Sequence, residues 1–261
     1  NVVMKFGGAA MASLESIQQV AELVAERRRE ARRIVIVVSA MGDTTDRLIA
    51  LAKEVHPSPP RREFDMLLTV GERVSIALLA MALDRRGCEA VSFTGSQSGI
   101  MTSNEHCDAR IVDVRPRRIV AALDQGKIAI VAGFQGCSLQ GEITTLGRGG
   151  SDTTAVALGV ALASDCVEFY KDVPGVFAQD PKLDADAQAL PVLSYDALLE
   201  LLKHGHPVLH PRCVELAARN ALPLQVRSFL PQYGSSTWIR GEGAPVDIPC
   251  FESPVRAIEA L

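Results

Sequence analysis

The chain lacks an excess of basic residues, which bears on its possible partners. Its 27 Lys and Arg residues are outnumbered by 31 Asp and Glu residues, so the formal net charge at pH 7 is −4. Because a nucleic-acid-binding domain carries a basic patch or stripe, this composition argues against a nucleic-acid partner. One cluster of positive charge ends a predicted helix, where cations suit the helix dipole. We interpret it as a solvated helix end rather than a polyanion site: Arg27, Arg28, Arg29, Arg32 and Arg33.

Closely spaced cysteines and long apolar segments are also missing. No two of the six cysteines fall at CxxC spacing, which disfavours a zinc ribbon or a disulfide framework and favours free thiols in a reducing compartment. The longest strand-like apolar run is Ile34–Val38, far short of the roughly 20 residues that span a membrane. The first residues are typical of a strand rather than of a signal peptide. We therefore expect a cytoplasmic protein without a membrane partner.

Short apolar runs alternate along the chain with helical patterns. Hydrophobic residues make up 48% of the 261 positions, enough for the core of one large domain or two small ones. The alternation indicates an α/β fold with a mainly parallel sheet covered by helices on both faces. Strands are predicted at Val2–Lys5, Ile34–Val38, Ala90–Phe93, Lys127–Ala132, Cys166–Tyr170 and Leu224–Arg227. Helices are predicted at Ser13–Arg29, at Thr45–Val55, from the proline-rich loop 56–60 to about Arg86, at Pro116–Asp124, from Ser151 onward, at Tyr195–Lys203 and at Pro211–Asn220. The segment 94–113 is ambiguous, and short strands are one interpretation of it.

The richest motif is TTLGRGGSDTTA at Thr144–Ala155, where three glycines, an arginine and a Ser-Asp pair open a predicted helix. Glycines let the backbone approach a ligand closely, and the free N–H groups of a helix N-terminus attract an anion. Arg148 adds a planar guanidinium that suits a carboxylate or a phosphate. A second glycine pair, Gly7-Gly8, follows Lys5 and by itself is equally compatible with a tight connection. Together the two motifs suggest two anionic reactants held close to one another.

Three further segments carry polar side chains of interest. The loop from Ser39 to Thr45 is rich in hydroxyls, typical either of a polar pocket or of an ordinary strand-to-helix connection. Glu72 interrupts an apolar helix, and either a substrate ammonium or a surface pair with Arg73 would explain it, the surface pair being slightly favoured. The run Lys171–Lys182 combines a Pro-Gly turn with basic side chains that would reach phosphates or face solvent. A metal site is disfavoured at three histidines without a matching Cys or carboxylate: His204, His206 and His210.

Eight segments of the chain resemble, in order, the catalytic domain of aspartate kinases within the amino acid kinase family. They are KFGG at Lys5–Gly8, VVSAMGDTTD at Val37–Asp46, TVGERVS at Thr69–Ser75, FTGSQSGI at Phe93–Ile100, GFQG at Gly133–Gly136, TTLGRGGSDTTA at Thr144–Ala155, KDVPGVFAQDPK at Lys171–Lys182 and VLHPRCVELA at Val208–Ala217. Eight such motifs in family order are very specific. The resemblance implies a three-layer αβα sandwich forming one catalytic domain over residues 1–261. Its N-terminal part would bind substrate, and the part from about residue 150 would bind nucleotide.

The resemblance also implies a reaction, the phosphorylation of the side-chain carboxylate of L-aspartate by ATP with Mg²⁺, on the route to lysine, threonine and methionine. No general base is required, since an aspartate carboxylate with a reference pKa of about 3.9 is already ionised. The implied catalytic residues are Lys5 and Asp152. Arg148 would bind the α-carboxylate and Glu72 the ammonium of aspartate, in a substrate set of Ser39, Thr45, Glu72, Arg148 and Ser151. The implied nucleotide contacts are Lys5, Phe6, Gly7, Gly8, Lys171, Asp172, Phe177, Lys182 and Val208. A homodimer is implied as well.

Three departures from the family pattern bear on activity. Ala9 and Ala10 stand where the family usually has Thr and Ser, and Pro207 stands where it usually has a phosphate-binding lysine. Because residues that clamp a transferred phosphoryl group are worth a factor of about 10³ or more, two alternatives stay open. They are a kinase with another acceptor and a non-catalytic ligand-binding subunit. The regulatory ACT domains that usually follow in the family are not expected in these residues, and neither is feedback inhibition.

Overall fold

The computed structural model describes residues 1–177, 187–203, 208–230, 232 and 234–241. In chain order the strands are β1 (Val2–Phe6), β2 (Ile34–Val38), β3 (Ala90–Phe93), β4 (Ile100–Thr102), β5 (Ile111–Val114), β6 (Ile128–Ala132), β7 (Gln135–Ser138), β8 (Ile143–Thr145), β9 (Cys166–Lys171), β10 (Val192–Leu193), β11 (Leu224–Ser228) and β12 (Ser236–Ile239). The helices are α1 (Leu14–Arg27), α2 (Thr44–Val55), α3 (Arg61–Leu68), α4 (Val70–Asp84), α5 (Arg117–Asp124), α6 (Gly150–Ala161), α7 (Tyr195–Lys203) and α8 (Pro211–Arg219).

The main sheet has eight strands in the order β10-β12-β11-β9-β1-β2-β6-β3. All neighbouring pairs are parallel except β11 and β12. The three apolar strands β1, β2 and β6 are buried along their whole length. A continuous apolar run is what a strand needs when helices cover both faces of its sheet. The predicted mainly parallel α/β sheet is therefore confirmed.

Two apolar cores lie on opposite faces of this sheet. Met4 and Ile36 point to one face, where they pack with residues of α1 and α4. Val3 and Val35 point to the other face, where α5, α6, α7 and α8 supply the core. This division follows from the two-residue period of a strand, which sends neighbouring side chains to opposite faces. The predicted three-layer αβα sandwich is confirmed.

A second sheet has four short strands in the order β5-β4-β7-β8. Short strands were one interpretation of the segment 94–113, but the sheet itself was not predicted. Strand β4 lies in the ambiguous segment 94–113 and β5 begins in it, whereas β7 and β8 form a hairpin after β6. Its buried residues include Thr102, Gln135, Ser138 and Thr144. Because these polar side chains face inwards and each strand has only three or four residues, the apolar pattern that reveals a strand is weak. The short strands β10 and β12 escaped prediction as well.

The single long helix predicted up to Arg86 is instead two helices, α3 and α4, that meet at Thr69. The hydroxyl of Thr69 donates to the carbonyl of Met66 at 3.1 Å, and the Thr69 carbonyl accepts from Gln135 at 3.2 Å.

The stretch Arg61–Asp84 is 24 residues long and apolar enough to meet the length and composition of a membrane span, which corrects the expectation that no segment comes near it. Half of its most apolar window is buried, and residues of α4 belong to the core.

The interpretation of the arginine cluster as solvated is wrong for Arg27. Its guanidinium donates to Glu168 at 2.8 and 3.1 Å, and Glu168, on β9, is buried. The hydroxyl of Tyr170 donates to the same carboxylate at 2.8 Å. A buried carboxylate needs such partners. Arg27 therefore ties the end of α1 to the main sheet.

Candidate active site

The site lies where the parallel strands β1, β2, β6 and β9 end. Lys5 is near the end of β1, Ser39 follows β2 and Lys171 ends β9, so all three residues reach the same edge of the sheet. Ligands of open α/β sheets bind at this edge. A cavity of about 580 Å³ is present there. Its lining includes every residue assigned from the sequence to catalysis or to aspartate: Lys5, Ser39, Thr45, Glu72, Arg148, Ser151 and Asp152.

A buried cluster of three charges forms the floor of the site. Lys5 Nζ lies 2.5 Å from Asp152 Oδ1, and Lys171 Nζ lies 3.7 Å from Asp152 Oδ2. Burial alone raises the pKa of Asp152, but the two ammonium groups and the backbone N–H of His210 outweigh it and bring the pKa below its ordinary value. Burial lowers the pKa of Lys171 against the attraction of Asp152. Two cations on one carboxylate leave positive charge for an anionic ligand.

Glu72 is a buried carboxylate that is only half satisfied. It lies in the first turn of α4 and is 2% exposed, so the surface pair with Arg73 is excluded. Its Oε1 accepts from the backbone N–H of Ala40 at 3.2 Å, whereas Oε2 finds no hydrogen-bond partner among the described residues. Burial raises the pKa of Glu72 to about 7. An ionised carboxylate held so close to the cavity suits a cationic group of a ligand.

The pKa of Glu72 predicts a stability effect that depends on pH. Because the pKa rises from 4.5 to about 7 on folding, ionisation costs stability as the pH rises above 4.5, and the whole cost is present above about 7. We expect Glu72→Gln to stabilise the protein by about 3 kcal/mol near pH 8, with the gain shrinking towards pH 5. Thermal unfolding at the two pH values measures this. Glu54→Gln on the exposed face of α2 is the control, and an equal gain at both pH values would contradict the prediction.

The glycine motif forms a tight loop from β8 into α6. Gly149 has φ +71°, and a Cβ there would lie 2.1 Å from the ring of His210, so no other residue fits. Helix α6 begins at Gly150, with Ser151 and Asp152 buried in its first turn. Its first residues, Gly150, Ser151 and Asp152, line the cavity, so the N-terminus of the helix is available to an anion there. Arg148 is exposed, and no carboxylate of the described residues pairs with its guanidinium.

The residues assigned to the nucleotide are less closely grouped. Phe6 is fully buried and stacks on Tyr170 with 4.7 Å between ring centroids, so only its backbone is available to a ligand. Gly7 lies against the ammonium of Lys5, since a Cβ there would come within 3.5 Å of Nζ. Gly8 lies in the turn after β1, and three further members occupy the loop after β9 or the turn before α8: Asp172, Phe177 and Val208. Lys182, Pro207, His204 and His206 lie outside the described residues.

The sequence analysis missed two side chains that support the site. Asp65 is fully buried on α3, and Arg212 lies in the first turn of α8. Asp65 is a charged residue within an apolar run, which is the same signal that singled out Glu72. No pattern in the sequence around Arg212 singled out that residue. A separate cavity of about 610 Å³ between α1 and the end of β11 contains none of the predicted site residues.

Comparison with known proteins agrees with this arrangement. The model of the amino acid kinase family matches residues 1–228. An aspartokinase of Corynebacterium glutamicum is 50% identical over 258 residues, which are 98% of this chain and 61% of that protein. The crystal structure of aspartate kinase from Synechocystis matches with a TM-score of 0.83 at 43% identity. The match covers 95% of this chain and 40% of the Synechocystis chain.

A more distant structure shows the same fold. E. coli aspartokinase III in complex with aspartate and ADP has a TM-score of 0.80 at 24% identity, covering 92% of this chain and 65% of that one. This chain thus spans less than two thirds of the length of each of these relatives. With the family model matched over most of its length, the chain belongs to the amino acid kinase family.

Proposed function

We propose that this chain transfers the γ-phosphoryl group of ATP to the side-chain carboxylate of L-aspartate, giving ADP and 4-phospho-L-aspartate. The observation that carries the proposal is one cavity beside the Lys5–Asp152–Lys171 cluster. It is lined by Glu72, one of whose carboxylate oxygens has no partner among the described residues, and by Arg148, whose guanidinium pairs with no described carboxylate. An amino acid carries an ammonium and an α-carboxylate, so its site needs one negative and one positive side chain. The anionic phosphoryl group needs the two lysines of the cluster. The names of the relatives, and the aspartate and ADP bound in the E. coli enzyme, support the same reading.

Aspartate would be oriented by its two backbone charges. Arg148 would donate two hydrogen bonds to the α-carboxylate, and Glu72 would accept from the ammonium, which supplies the missing partner of Oε2. The hydroxyls of Ser39 and Thr45 line the same cavity and would contact the side-chain carboxylate. Ser151, at the start of α6, would hold the same group at the positive end of the helix.

The chemical step needs charge neutralisation rather than a base. One oxygen of the ionised aspartate carboxylate forms a bond to the γ-phosphorus as the bond from phosphorus to the β-phosphate oxygen breaks, and that oxygen leaves with ADP. Lys5 would stabilise the charge on the transferred group, and Asp152 would hold Lys5 in place. Lys171, whose ammonium lies 3.7 Å from Asp152 Oδ2, would contact the phosphates of the nucleotide. Both cations are fixed before the reaction begins, which lowers the cost of reorganisation.

Mg²⁺ would accompany the nucleotide. No group of three His, Cys, Asp or Glu side chains suited to a metal occurs within the described parts of the chain. Mg²⁺ is usually bound through substrate phosphates, water and one or two carboxylates, so it does not require such a group. Asp152 is a buried carboxylate beside Lys5 and Lys171 and would contact the ion through water. The ion would neutralise phosphate charge when bound.

The two halves of the chain would divide the substrates. Most aspartate anchors precede residue 150, whereas Lys171, Asp172, Phe177, Lys182 and Val208 would line the nucleotide site together with Gly7 and Gly8. The five described cysteines are free, which supports a cytoplasmic location. The product would be the first intermediate towards lysine, threonine and methionine.

The test of this function is the formation of aspartyl hydroxamate from L-aspartate, ATP, Mg²⁺ and hydroxylamine by the purified chain. We expect a signal that depends on aspartate and not on glutamate, whose longer side chain misplaces the acceptor between fixed anchors. A folded protein that gives no signal with aspartate contradicts the proposed function. A signal with glutamate alone would identify another acceptor.

An apolar stripe on α3 and α4 supports the proposed homodimer. Met66, Val70, Val74 and Met81 are exposed and recur at helical spacing, with Met81 67% exposed. Exposed apolar patches of this kind mark interfaces, and a stripe on a helix suits pairing with a second copy.

We expect Val74→Glu with Met81→Glu to shift the protein from dimer to monomer, because two buried charges would face each other across the interface. Light scattering after size exclusion measures the mass. Leu139→Glu in the β7–β8 hairpin, also an exposed apolar position, is the control. A wild-type protein that is monomeric at micromolar concentration contradicts the dimer.

A further inference from the structure

A second loop supports the glycine loop from behind. We name residues 106–109 the brace loop. The N–H of Ala109 donates to the carbonyl of Thr145 at 2.9 Å. A Cβ on Gly147 would lie 2.9 Å from Asp108 Oδ1 and 3.3 Å from the carbonyl of Cys107. The backbone that carries Arg148 therefore rests directly on the brace loop.

Asp65 holds the brace loop from the side of α3. Its Oδ1 accepts from the hydroxyl of Thr145 at 2.6 Å and from the N–H of Cys107 at 3.1 Å. Its Oδ2 accepts from His106 Nδ1 at 2.7 Å. One fully buried carboxylate thus joins α3, the brace loop and the strand that leads into the glycine loop. Charged hydrogen bonds of this kind are the strong ones in a protein interior.

Arg212 holds the same two loops from the side of α8. Its guanidinium donates to the carbonyl of Leu146 at 2.7 Å and to that of Ala109 at 3.3 Å, and it lies 3.5 Å from Asp108 Oδ1. Two residues earlier, His210 fills the space beside Gly149 and its N–H bonds to Asp152. The start of α8 therefore contacts the glycine loop on both sides of Arg148.

We propose that Asp65 and Arg212 are positioning residues that hold Arg148 in the geometry that binds the α-carboxylate of the amino-acid substrate. The inference rests on the proposed function and deepens it. Arg148 is exposed on a loop with glycines on either side, so its own surroundings do little to orient it. Fixing the backbone beneath it lowers the entropy that is lost when the substrate binds. Selectivity for an α-carboxylate then depends on residues that never touch the substrate.

The test compares L-aspartate with its α-amide, which keeps the ammonium and the acceptor carboxylate but has no negative charge for Arg148. The quantity measured is the ratio of kcat/KM for aspartate to kcat/KM for the α-amide. We expect Arg212→Met to raise the aspartate KM about 10-fold, to change the ATP KM less than about twofold and to lower the ratio about 10-fold. Asp65→Asn should act in the same direction, and Arg212→Lys should restore part of the ratio.

The controls separate positioning from a general loss of structure. Arg219→Met removes an exposed arginine from the same helix and should leave the ratio unchanged. If Arg212→Met and Asp65→Asn both lower kcat/KM equally for the two acceptors, or change neither, the inference is wrong. If Arg212→Met does not fold, Arg212→Lys and Asp65→Asn decide the question through the same ratio. A wild-type chain without aspartate-dependent turnover refutes the proposed function and the inference with it, whereas an active wild type with an unmoved ratio refutes the inference alone.

Discussion

Replacing Lys5 by methionine is expected to lower kcat by a factor of about 10³. Methionine has a similar length but no charge, so the cluster loses the ammonium that lies 2.5 Å from Asp152. Only Lys171, 3.7 Å from the same carboxylate, then remains to offset Asp152, and the net positive charge of the cluster disappears. The transferred phosphoryl group carries its largest charge in the transition state, so the loss falls on kcat.

The aspartate KM should change by less than a few-fold in this variant, because the amino-acid anchors Arg148 and Glu72 are untouched. Steady-state kinetics with both substrates gives the two parameters separately. Lys127→Met serves as a matched control, since Lys127 precedes β6 at the opposite edge of the sheet. A fall in kcat of less than about tenfold would rule out Lys5 as the main cation on the transferred group.

Replacing Arg148 by alanine is expected to raise the aspartate KM by about 100-fold, with a much smaller change in the ATP KM. A guanidinium that forms charged hydrogen bonds to a carboxylate contributes about 2 to 3 kcal/mol, which corresponds to this factor. Because Arg148 has no carboxylate partner among the described residues, its removal leaves no protein charge unpaired, and the effect reports substrate binding directly.

The control for this prediction is Arg117→Ala, which removes an exposed arginine from α5, outside the lining of the cavity. Steady-state kinetics with varied aspartate and varied ATP provides the measurement. An aspartate KM that stays within about twofold of the wild-type value would remove Arg148 from the substrate site. Loss of ATP affinity with intact aspartate affinity would instead assign the guanidinium to the nucleotide.

The central strands and most helices follow directly from the order of residues. Strand β2 and helix α7 have their predicted bounds, and helix α1 begins after Ser13, whose hydroxyl accepts from the N–H of Ser16 at 3.1 Å. Local signals suffice here because a strand of five consecutive apolar residues is buried on both sides only in the middle of a sheet that helices cover on both faces. A serine before an amphipathic segment likewise marks a helix start without reference to the rest of the chain.

The second sheet and the break at Thr69 depend on contacts between distant residues. The hydroxyls of Thr102 and Thr144 are hydrogen-bonded to each other at 2.6 Å inside the protein, so residues that look like loop in the sequence face a buried partner. The carbonyl of Thr69 accepts from Gln135, 66 positions away. Such pairs are satisfied only when the fold brings them together, and no local pattern reports them.

By itself the sequence determined the parallel α/β architecture, the two glycine loops and the identity of the charged residues around them, because apolar runs, turns and glycines act on their nearest neighbours. Only the tertiary structure decided how those charges are used. Burial turned Glu72 from a candidate surface charge into a carboxylate with a pKa of about 7, and proximity joined Lys5, Asp152 and Lys171 into one cluster. Solvent exclusion and distance between remote side chains arise only when the strands and helices are packed together, since both are properties of the assembled core.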